Sequence, residues 1–398
     1  MQNEKEKLIL VANPGSSSRK YALYHGTDLW VSMHFEYEDG KIICTGRDAE
    51  GNERRIDQSF NNFTEATLKL KHILVELGAL EPSQHIDILT IRVVAPSDYM
   101  TEHHVVDEEF LAKIDEVEPK APLHIPVLAQ EIVAFKQAYP RLKIVAVSDS
   151  QFHTTKPLSR RYYAIDPNLA DKLEIRRYGY HGLSVASVVR TMEAEKILAK
   201  KMVVCHVGSG SSVSAVEDGK SVDNTMGFSP LEGVMMATRS GSIDVEAALD
   251  IKREMQFKTD LELSQFLNKK SGFSGMTGSD DLREVLKMRE NGDGNAKLAY
   301  DVFIYRLQTA IGQMAASLGG IDALVFAATI GERSDIMRAD VVKNLEFLGF
   351  RLDESKNAAG LDGKITTNIG SDLSKPVYVV RTDETDEMIR EALELVGE

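Results

Sequence analysis

The chain has 398 residues, a formal net charge of −14, 43% hydrophobic residues and 27% charged residues. That length exceeds one ordinary core, so two domains are expected, and the composition fits a soluble globular protein. The negative charge argues against a general nucleic-acid binder, and no apolar stretch reaches the ~18 residues of a membrane span. The short charged N-terminus predicts no signal peptide, and two distant cysteines, Cys44 and Cys205, predict neither a disulfide framework nor a paired metal motif. We therefore expect a cytoplasmic protein.

The first half of the chain begins rich in strands and then alternates helices with strands. Apolar runs and turn residues predict strands at 8–13, 21–25, 29–35, 42–45, 86–94 and 142–147. Helical spacing of apolar residues predicts helices at 63–80, 107–117 and 125–139. This order is typical of a mixed or parallel sheet covered by helices.

The second half repeats the pattern. Strands are predicted at 202–206, 212–216, 221–224, 323–328 and 377–380. Helices are predicted at 183–199, 244–255, 260–268, 280–290, 296–318, 334–348 and 385–395. Since no linker rich in proline or serine separates the halves, we expect a tight domain boundary near residue 150, with a cleft between the two domains.

Two Gly/Ser loops look like copies of one another. The loop at 13–20 follows the strand at 8–13, and the loop at 206–212 follows the strand at 202–206. In each copy a turn glycine follows the loop glycine after eleven positions, from Gly15 to Gly26 and from Gly208 to Gly219. Gly/Ser clusters are often ordinary turns, but the matched spacing after two buried strands favours two related halves that bind phosphate through exposed backbone N–H groups.

Ten segments in the same order give the chain a resemblance to the acetate kinases and related short-chain acyl kinases over essentially its full length. The segments are 13–18, 91–94, 121–124, 148–153, 176–182, 206–210, 226–233, 238–241, 330–332 and 382–384. The resemblance implies the duplicated α/β fold of actin and the sugar kinases, with two lobes around a ligand cleft, and a homodimer. It implies a first lobe of 1–150 with 385–398 on the carboxylate and metal side, and a second lobe of 151–384 on the nucleotide side.

The implied reaction converts a carboxylate and ATP into an acyl phosphate and ADP. A carboxylate is already ionised at neutral pH, so the site needs cations and hydrogen-bond donors more than a base. Arg92 and Arg239, beside small or apolar residues, suit that requirement because guanidinium groups bind carboxylate and phosphoryl oxygens in bidentate fashion. The resemblance implies that Arg92 orients the carboxylate and that Arg239 stabilises the transferring phosphoryl group.

The resemblance gives roles to further polar residues. His181 is implied to stabilise the transition state, and Asp149, which ends a buried strand, to position the reactants through Mg²⁺ or Mn²⁺ rather than to remove a proton. Asn13 and Glu384 are implied to hold that metal, although Glu384 also reads as a carboxylate at a helix start. His124 is either a site residue or only structural, whereas His72, His103 and His104 match no segment and are interpreted as surface or helix residues.

Nucleotide and substrate contacts are also implied by the resemblance. Phosphate and nucleotide contacts are assigned to Ser16, Ser18, Lys20, His206, Val207, Gly208, Ser209, Gly210, Asp281, Leu282, Arg283, Thr329, Ile330, Gly331, Glu332 and Arg333. A pocket for the acyl tail is assigned to Val94, Leu123, Tyr180 and Pro230, together with Arg92. Tyr180 stands where the family usually has phenylalanine, which could add a polar group to this pocket.

Departures from the family pattern leave alternatives open. The family usually has glycine at Thr329 and asparagine at Arg333, so the adenosine pocket could be narrowed and another nucleotide, pyrophosphate or polyphosphate favoured as donor. Acetate is the first-choice substrate, with propionate and butyrate as alternatives, since one methylene discriminates by only ~1–3 kcal/mol. A non-catalytic nucleotide-binding protein on the same fold is the alternative from another class. A sugar kinase is disfavoured because two positioned arginines suit a carboxylate acceptor.

Overall fold

The computed structural model describes residues 7–15, 18–38, 40–56 and 58–397. The strands are β1 (Leu8–Pro14), β2 (Ser18–His25), β3 (Asp28–Glu38), β4 (Lys41–Asp48), β5 (Glu53–Arg55), β6 (Ile88–Val93), β7 (His104–Val105), β8 (Lys143–Ser148), β9 (Lys201–Val207), β10 (Ser211–Glu217), β11 (Lys220–Asn224), β12 (Ala323–Ala327), β13 (Thr366–Asn368) and β14 (Val377–Val380).

The helices alternate with these strands. They are α1 (Phe63–Leu68), α2 (Leu70–Glu76), α3 (Glu108–Val117), α4 (Ile125–Ala138), α5 (Leu158–Arg161), α6 (Pro167–Leu173), α7 (Gly182–Ala194), α8 (Val245–Glu254), α9 (Asp260–Lys269), α10 (Gly272–Thr277), α11 (Leu282–Glu290), α12 (Gly294–Leu318), α13 (Ala328–Arg333), α14 (Asp335–Val342), α15 (Glu354–Ala359) and α16 (Glu384–Val396). None of them, within the described part of the chain, is long and apolar enough to cross a membrane.

The chain forms two compact units. Unit 1 consists of Met1–Asp149 with Glu384–Glu398, and unit 2 consists of Ser150–Asp383. The last helix, α16, belongs to unit 1, so Glu384 lies in the same unit as Arg92 and Asp149.

Each unit contains one sheet, and the six strands of the unit 2 sheet follow the same order as six of the eight strands in unit 1. The order is β5-β4-β3-β2-β1-β6-β8-β7 in unit 1 and β11-β10-β9-β12-β14-β13 in unit 2. In each sheet the central strand, β1 or β9, pairs antiparallel with the next strand of the chain and parallel with a later one, β6 or β12. A short antiparallel strand, β7 or β13, closes the same edge in each. The duplicated α/β fold predicted from the sequence is therefore present.

Helices cover both faces of the sheet in unit 2. Alternate residues of β9 enter different cores: Val203 and Cys205 pack in the core that contains α12, whereas Met202 and Val204 pack in the core that contains α7. The side chain of Asp293 accepts a hydrogen bond from Ala296 N at the start of α12, and Gly319 ends this helix with φ 62°. These two capping interactions define where α12 begins and ends.

Several element boundaries differ from the predictions. The helix predicted at 63–80 is two short helices, α1 and α2, joined at Lys69. The helix predicted at 183–199 ends at Ala194, since Lys196 has φ 60°, a left-handed conformation. The strand predicted at 323–328 ends at Ala327, and the chain turns at once into α13, a helix that the sequence did not predict.

Candidate active site

Three predicted residues lie at the carboxyl ends of neighbouring strands in unit 1. Asn13 is near the end of β1, Arg92 is near the end of β6, and Asp149 directly follows β8. Because β1, β6 and β8 run parallel side by side, their carboxyl ends meet at one edge of the sheet. Ligands commonly bind at this edge in α/β proteins.

Arg92 joins two carboxylates. Its Nη2 donates to Asp149 Oδ2 at 2.8 Å, and its Nη1 donates to Glu384 Oε2 at 2.9 Å. The side chain of Asp149 is 1% exposed, whereas those of Arg92 and Glu384 are 15% and 25% exposed. We call these three residues the Arg92 cluster; its guanidinium is held rigidly at a partly open position.

The Arg92 cluster contains one positive and two negative charges, and these charges act on the pKa of Arg92. Burial lowers the pKa of Arg92, but the adjacent carboxylates of Asp149 and Glu384 more than reverse this effect, so its pKa is raised. Arg92 Nε is buried and has no hydrogen-bond partner among the described residues. Nη1 and Nη2 each carry a second N–H, and the side chain is 15% exposed, so these two groups are suited to bind a further anionic oxygen.

Asn13 and Lys20 lie beside a cavity of about 560 Å³ in unit 1, which Thr385 also lines. They face one another in the antiparallel pairing of β1 with β2. Ser18 begins β2, and its carbonyl accepts a hydrogen bond from Gly15 N at 2.9 Å. Ser16, also predicted to contact phosphate, lies outside the described residues.

The predicted metal ligands supply few protein oxygens. Among the described residues, no group of three or more His, Cys, Asp and Glu side chains is arranged to hold a metal. Glu384 directly precedes Thr385, which lines the same cavity as Asn13. Mg²⁺ usually keeps several waters and takes only one or two carboxylates together with substrate phosphates, so this sparse oxygen donor set fits Mg²⁺.

The predicted substrate residues divide between the units. In unit 1, Val94 follows β6, and Leu123 and His124 directly precede α4; all three are half-buried. In unit 2, Tyr180 is 1% exposed, and its hydroxyl donates to the carbonyl of Phe228 at 2.7 Å. This hydroxyl is therefore engaged with the backbone two residues before Pro230.

Two predicted histidines stack in unit 2. The rings of His181 and His206 have centroids 3.9 Å apart and an interplanar angle of 24°. His181 precedes α7 with φ 61°, and its Nδ1 lies 3.0 Å from Ser212 Oγ. His206 is in β9, and its Nδ1 lies 2.7 Å from Ser184 Oγ. Serine hydroxyls thus fix the orientation of both rings.

Glycines keep space open beside these histidines. A Cβ at Gly210 would lie 3.1 Å from His181 Nε2 and 3.4 Å from Arg239 Nη1. A Cβ at Gly208 would lie 3.8 Å from His206 Nε2. We call His181, His206, Gly208, Gly210 and Arg239 the histidine cluster. Five predicted residues therefore come together around one short loop, in which Ser209 is exposed.

The predicted adenosine segment forms α13 and begins next to this loop. A Cβ at Gly208 would lie 3.7 Å from Ala328 Cβ. Thr329 and Arg333 are exposed, Ile330 and Glu332 are half-buried, and Gly331 is buried. Glu332 Oε1 accepts a hydrogen bond from Thr382 N at 3.2 Å. The two side chains that depart from the family pattern are thus open to solvent.

Some predicted nucleotide residues have structural roles. Asp281 accepts a hydrogen bond from Arg283 N at 2.8 Å and caps α11, and the Arg283 guanidinium binds the same carboxylate, which lowers the pKa of Asp281. Leu282 and Val207 are buried, and their side chains pack in the core of unit 2. Among the described residues, no hydrogen bond or ion pair joins Asp281 or Arg283 to the histidine cluster.

Buried polar residues near the site were missed by the sequence analysis. Arg338 is 1% exposed and donates to the carbonyls of Gly331 and Glu332 at 2.8 and 2.9 Å. In unit 1, buried Arg19 donates to Glu131 Oε2 at 3.1 Å. A charged residue within an apolar helical pattern is the only signal for Arg338 and Glu131, and it does not distinguish a buried position from an exposed one.

The interpretation of His103 was wrong. Its side chain is 7% exposed, its Nδ1 accepts a hydrogen bond from Ser148 N at 2.9 Å, and its Nε2 lies 3.2 Å from Glu391 Oε2. The sequence showed only two adjacent histidines in a loop before β7. Contacts that are distant along the chain decide that the side chain of His103 is largely enclosed.

Comparisons with known proteins identify the family. The profile of the acetokinase family matches residues 8–391. The chain belongs to the acetokinase family. It is 37% identical to the acetate kinase of Caldanaerobacter subterraneus subsp. tengcongensis and 38% identical to that of Thermotoga maritima, over 98% of this chain and 98% of each relative.

Solved structures of the acetokinase family agree with the fold. A propionate kinase from Francisella tularensis has a TM-score of 0.88 at 33% identity, covering 97% of this chain and 98% of that one. The Porphyromonas gingivalis acetate kinase has a TM-score of 0.86 at 31% identity, covering 98% and 100%. The family and the phosphotransferase class predicted from the sequence are confirmed, and the chain is an acyl kinase.

Proposed function

We propose that this acyl kinase reversibly transfers a phosphoryl group from ATP to a short-chain carboxylate, acetate in the first place, by direct in-line transfer. The observation that carries the proposal is the Arg92 cluster, in which a partly exposed guanidinium is fixed by two carboxylates at a strand end where ligands collect. A carboxylate substrate is recognised well by such a group, because two N–H donors can bind its two oxygens.

Unit 1 is proposed to act on the carboxylate. Arg92 orients the substrate, and Val94 and Leu123 contact its apolar tail. Asp149 is buried and bound to Arg92, so it acts through positioning. Since the substrate is already ionised at neutral pH, the reaction does not need Asp149 to remove a proton.

Unit 2 is proposed to act on the donor and the transferring group. The loop 206–210 and α13 bind the nucleotide, while His181 and Arg239 donate to phosphoryl oxygens. The support is their placement: both surround the space that Gly210 leaves open. Positive and hydrogen-bonding groups fixed before the reaction stabilise developing charge at little reorganisation cost. Tyr180 and Pro230 are the residues of unit 2 proposed to contact the substrate.

Asn13 and Glu384 are proposed to hold Mg²⁺, with Mn²⁺ as a substitute, and Ser16, Ser18 and Lys20 to contact phosphate. Mg²⁺ would neutralise charge on the phosphate oxygens when bound. The protein's own contribution is to keep the Glu384 carboxylate in place, which Arg92 does at 2.9 Å. This division assigns the carboxylate and metal to unit 1 and the nucleotide to unit 2.

Trapping the acyl phosphate with hydroxylamine tests the proposal. The purified chain should convert acetate to the hydroxamate in the presence of MgATP, and a series from formate to butyrate should have its optimum at acetate. An optimum at propionate or butyrate would contradict the substrate choice. No hydroxamate with any donor would favour a nucleotide-binding protein without catalytic activity.

A different donor is the second candidate, and the exposure of Thr329 and Arg333 on α13 favours it. An added branched side chain and a long cation next to the nucleotide loop would suit a donor without an adenosine moiety, such as pyrophosphate. Competition among ATP, GTP and pyrophosphate distinguishes the candidates. Efficient use of ATP alone would rule out the second.

We also propose a cytoplasmic homodimer. Helix α8 carries apolar residues but buries none of its side chains, and Val245 and Leu249 are 70% and 41% exposed. An exposed apolar helix face of this kind is typical of a protein interface. Size-exclusion chromatography with light scattering should give a dimer mass, and Val245→Glu should shift the mass toward the monomer.

A further inference from the structure

The loop before β7 connects the end of β8 to the C-terminal helix through a single side chain. His103 Nδ1 accepts the backbone N–H of Ser148 at 2.9 Å. Since the backbone nitrogen can only donate, Nδ1 must be unprotonated, and the ring hydrogen is on Nε2. That Nε2 lies 3.2 Å from Glu391 Oε2 in α16 and donates to it.

Both ends of this connection are next to the Arg92 cluster. Ser148 directly precedes Asp149, and its own hydroxyl donates to the carbonyl of Met100 at 2.7 Å. Glu391 is seven residues after Glu384, about two helical turns, so both lie on one face of α16. His103 therefore links the backbone next to Asp149 to α16, the helix that carries Glu384.

Arg92 also binds both carboxylates, but it cannot by itself keep Asp149 and Glu384 at a fixed distance from each other. In the proposed function its guanidinium also binds the substrate carboxylate through its remaining N–H groups, and this third carboxylate weakens its attraction to Asp149 and Glu384. A connection that does not include Arg92 would preserve the distance between the two carboxylates while the substrate is bound.

We propose that His103 is a positioning residue that maintains the arrangement of Asp149 and Glu384 when Arg92 engages its substrate. It does so by accepting from Ser148 N and donating to Glu391. This inference rests on the proposed function. Residues that orient groups of a site from behind typically change metal affinity or activity by about 10–100-fold when they are removed.

Substitutions can separate the two hydrogen bonds. His103→Leu removes both hydrogen bonds. His103→Asn keeps an amide near the position of Nδ1, which can still accept from Ser148 N. His103→Gln keeps an amide near the position of Nε2, which can still donate to Glu391. His104→Leu is a matched control, because the neighbouring His104 stacks on Tyr99 at 4.0 Å and its Nε2 lies 2.8 Å from the Tyr99 carbonyl.

The experiment measures kcat, the KM values for acetate and ATP, and amide hydrogen exchange in the full chain. For His103→Leu we expect kcat to fall about 10–100-fold, with a much smaller change in the KM for ATP and faster exchange in the peptides covering 143–149 and 384–391. Asn and Gln variants should be intermediate, and His104→Leu should stay within about twofold of the wild type.

Several results would overturn the proposal. Equal kcat values for His103→Leu and His104→Leu would do so, as would a loss of kcat accompanied by an equal loss of ATP affinity, which indicates general damage. If His103→Leu does not fold, wild-type kcat in both the Asn and the Gln variant would refute it. A wild-type chain that is inactive with every donor would refute the proposed function first, and with it the reaction that His103 serves.

Discussion

Arg92 and Arg239 are both arginines of the predicted site, but their surroundings differ. Arg92 binds two carboxylates at 2.8 and 2.9 Å within unit 1. Arg239 Nη1 lies 3.5 Å from the carbonyl of Pro230 and from Met236 Sδ, both uncharged, and faces a space that Gly210 keeps open. The first region depends on the pairing of a cation with carboxylates, whereas the second depends on the space beside a glycine.

This difference predicts that the Arg92 cluster and the histidine cluster respond to different kinds of substitution. The Arg92 cluster should respond most to the loss of a charge, because a buried carboxylate without its cation is costly. The histidine cluster should respond most to added volume, because its polar atoms surround a glycine loop. The following substitutions test this contrast, from the largest expected effect to the smallest.

Arg92→Leu should have the largest effect. It leaves the buried carboxylate of Asp149 without its guanidinium, so we expect a loss of about 3–5 kcal/mol in the free energy of unfolding. Since the group that orients the substrate is also removed, kcat/KM for acetate should fall by at least about 10²–10³. Urea unfolding and hydroxamate kinetics measure both. In Arg92→Leu/Asp149→Asn, stability should recover while activity does not; recovery of neither would contradict the charge argument.

Gly210→Ala should mainly affect catalysis. The new methyl group would lie 3.1 Å from His181 Nε2, which forces a shift of a few tenths of an ångström. We expect kcat to fall about tenfold, since misplacement of 1 Å can cost about 100-fold. Gly208→Ala is the matched control, because its Cβ meets ordinary contacts of 3.4–3.8 Å. Equal kcat values in the two variants would argue against the volume-dependent site.

His153 allows the pH response of unit 2 to be tested. It is fully buried, its Nδ1 lies 2.8 Å from Ser221 Oγ, and its Nε2 lies 3.0 Å from the Tyr180 carbonyl. Burial, followed by the charge of Lys156, lowers the pKa of His153 to about 3. Because the unfolded histidine takes up a proton near pH 6.5 and the folded one does not, stability should fall as the pH drops below that value.

The size of that pH effect can be isolated with one substitution. Between pH 7 and pH 5, the wild type should lose about 2 kcal/mol of unfolding free energy more than His153→Gln. Urea titrations at the two pH values measure the difference. Parallel pH dependence in the two proteins would show that His153 is protonated in the folded state.

Tyr180→Phe and Tyr178→Phe should have the smallest effects. Each removes a buried hydroxyl that donates to a backbone carbonyl, that of Phe228 for Tyr180 and that of Glu174 for Tyr178. Both should lose about 1 kcal/mol of stability. Only Tyr180→Phe frees the segment that leads to Pro230, so only it should change the ratio of kcat/KM for propionate and acetate, by a few-fold. An altered ratio in Tyr178→Phe would contradict this.

The sequence predicted the duplicated fold because its signals are local. Matched Gly/Ser loops after buried strands identified β1 and β9, and the helix predicted at 296–318 matches α12 closely. It did not predict α13, since a six-residue helix directly after a strand has little periodicity of its own. Nor did it predict the edge strands β7 and β13, which have two and three residues.

Only part of the site was predicted, because local sequence signals do not show which distant residues come together. Family motifs located Arg92, Asp149 and Glu384, but only the fold shows that one guanidinium connects both carboxylates. His103 carried no signal, because its partners Ser148 and Glu391 are 45 and 288 residues away in the sequence. Tyr180 was expected to add polarity to the acyl pocket, yet its hydroxyl is engaged by the Phe228 carbonyl. Contacts that are distant along the chain decide these details.

The most direct test of the central claim follows the phosphoryl group itself. Phosphorus NMR of the purified chain with MgATP should show the γ-phosphate signal decreasing and an acetyl phosphate signal rising only when acetate is present, with ADP formed in equal amount. An unchanged spectrum, or release of inorganic phosphate without acetyl phosphate, would contradict direct transfer from ATP to a carboxylate.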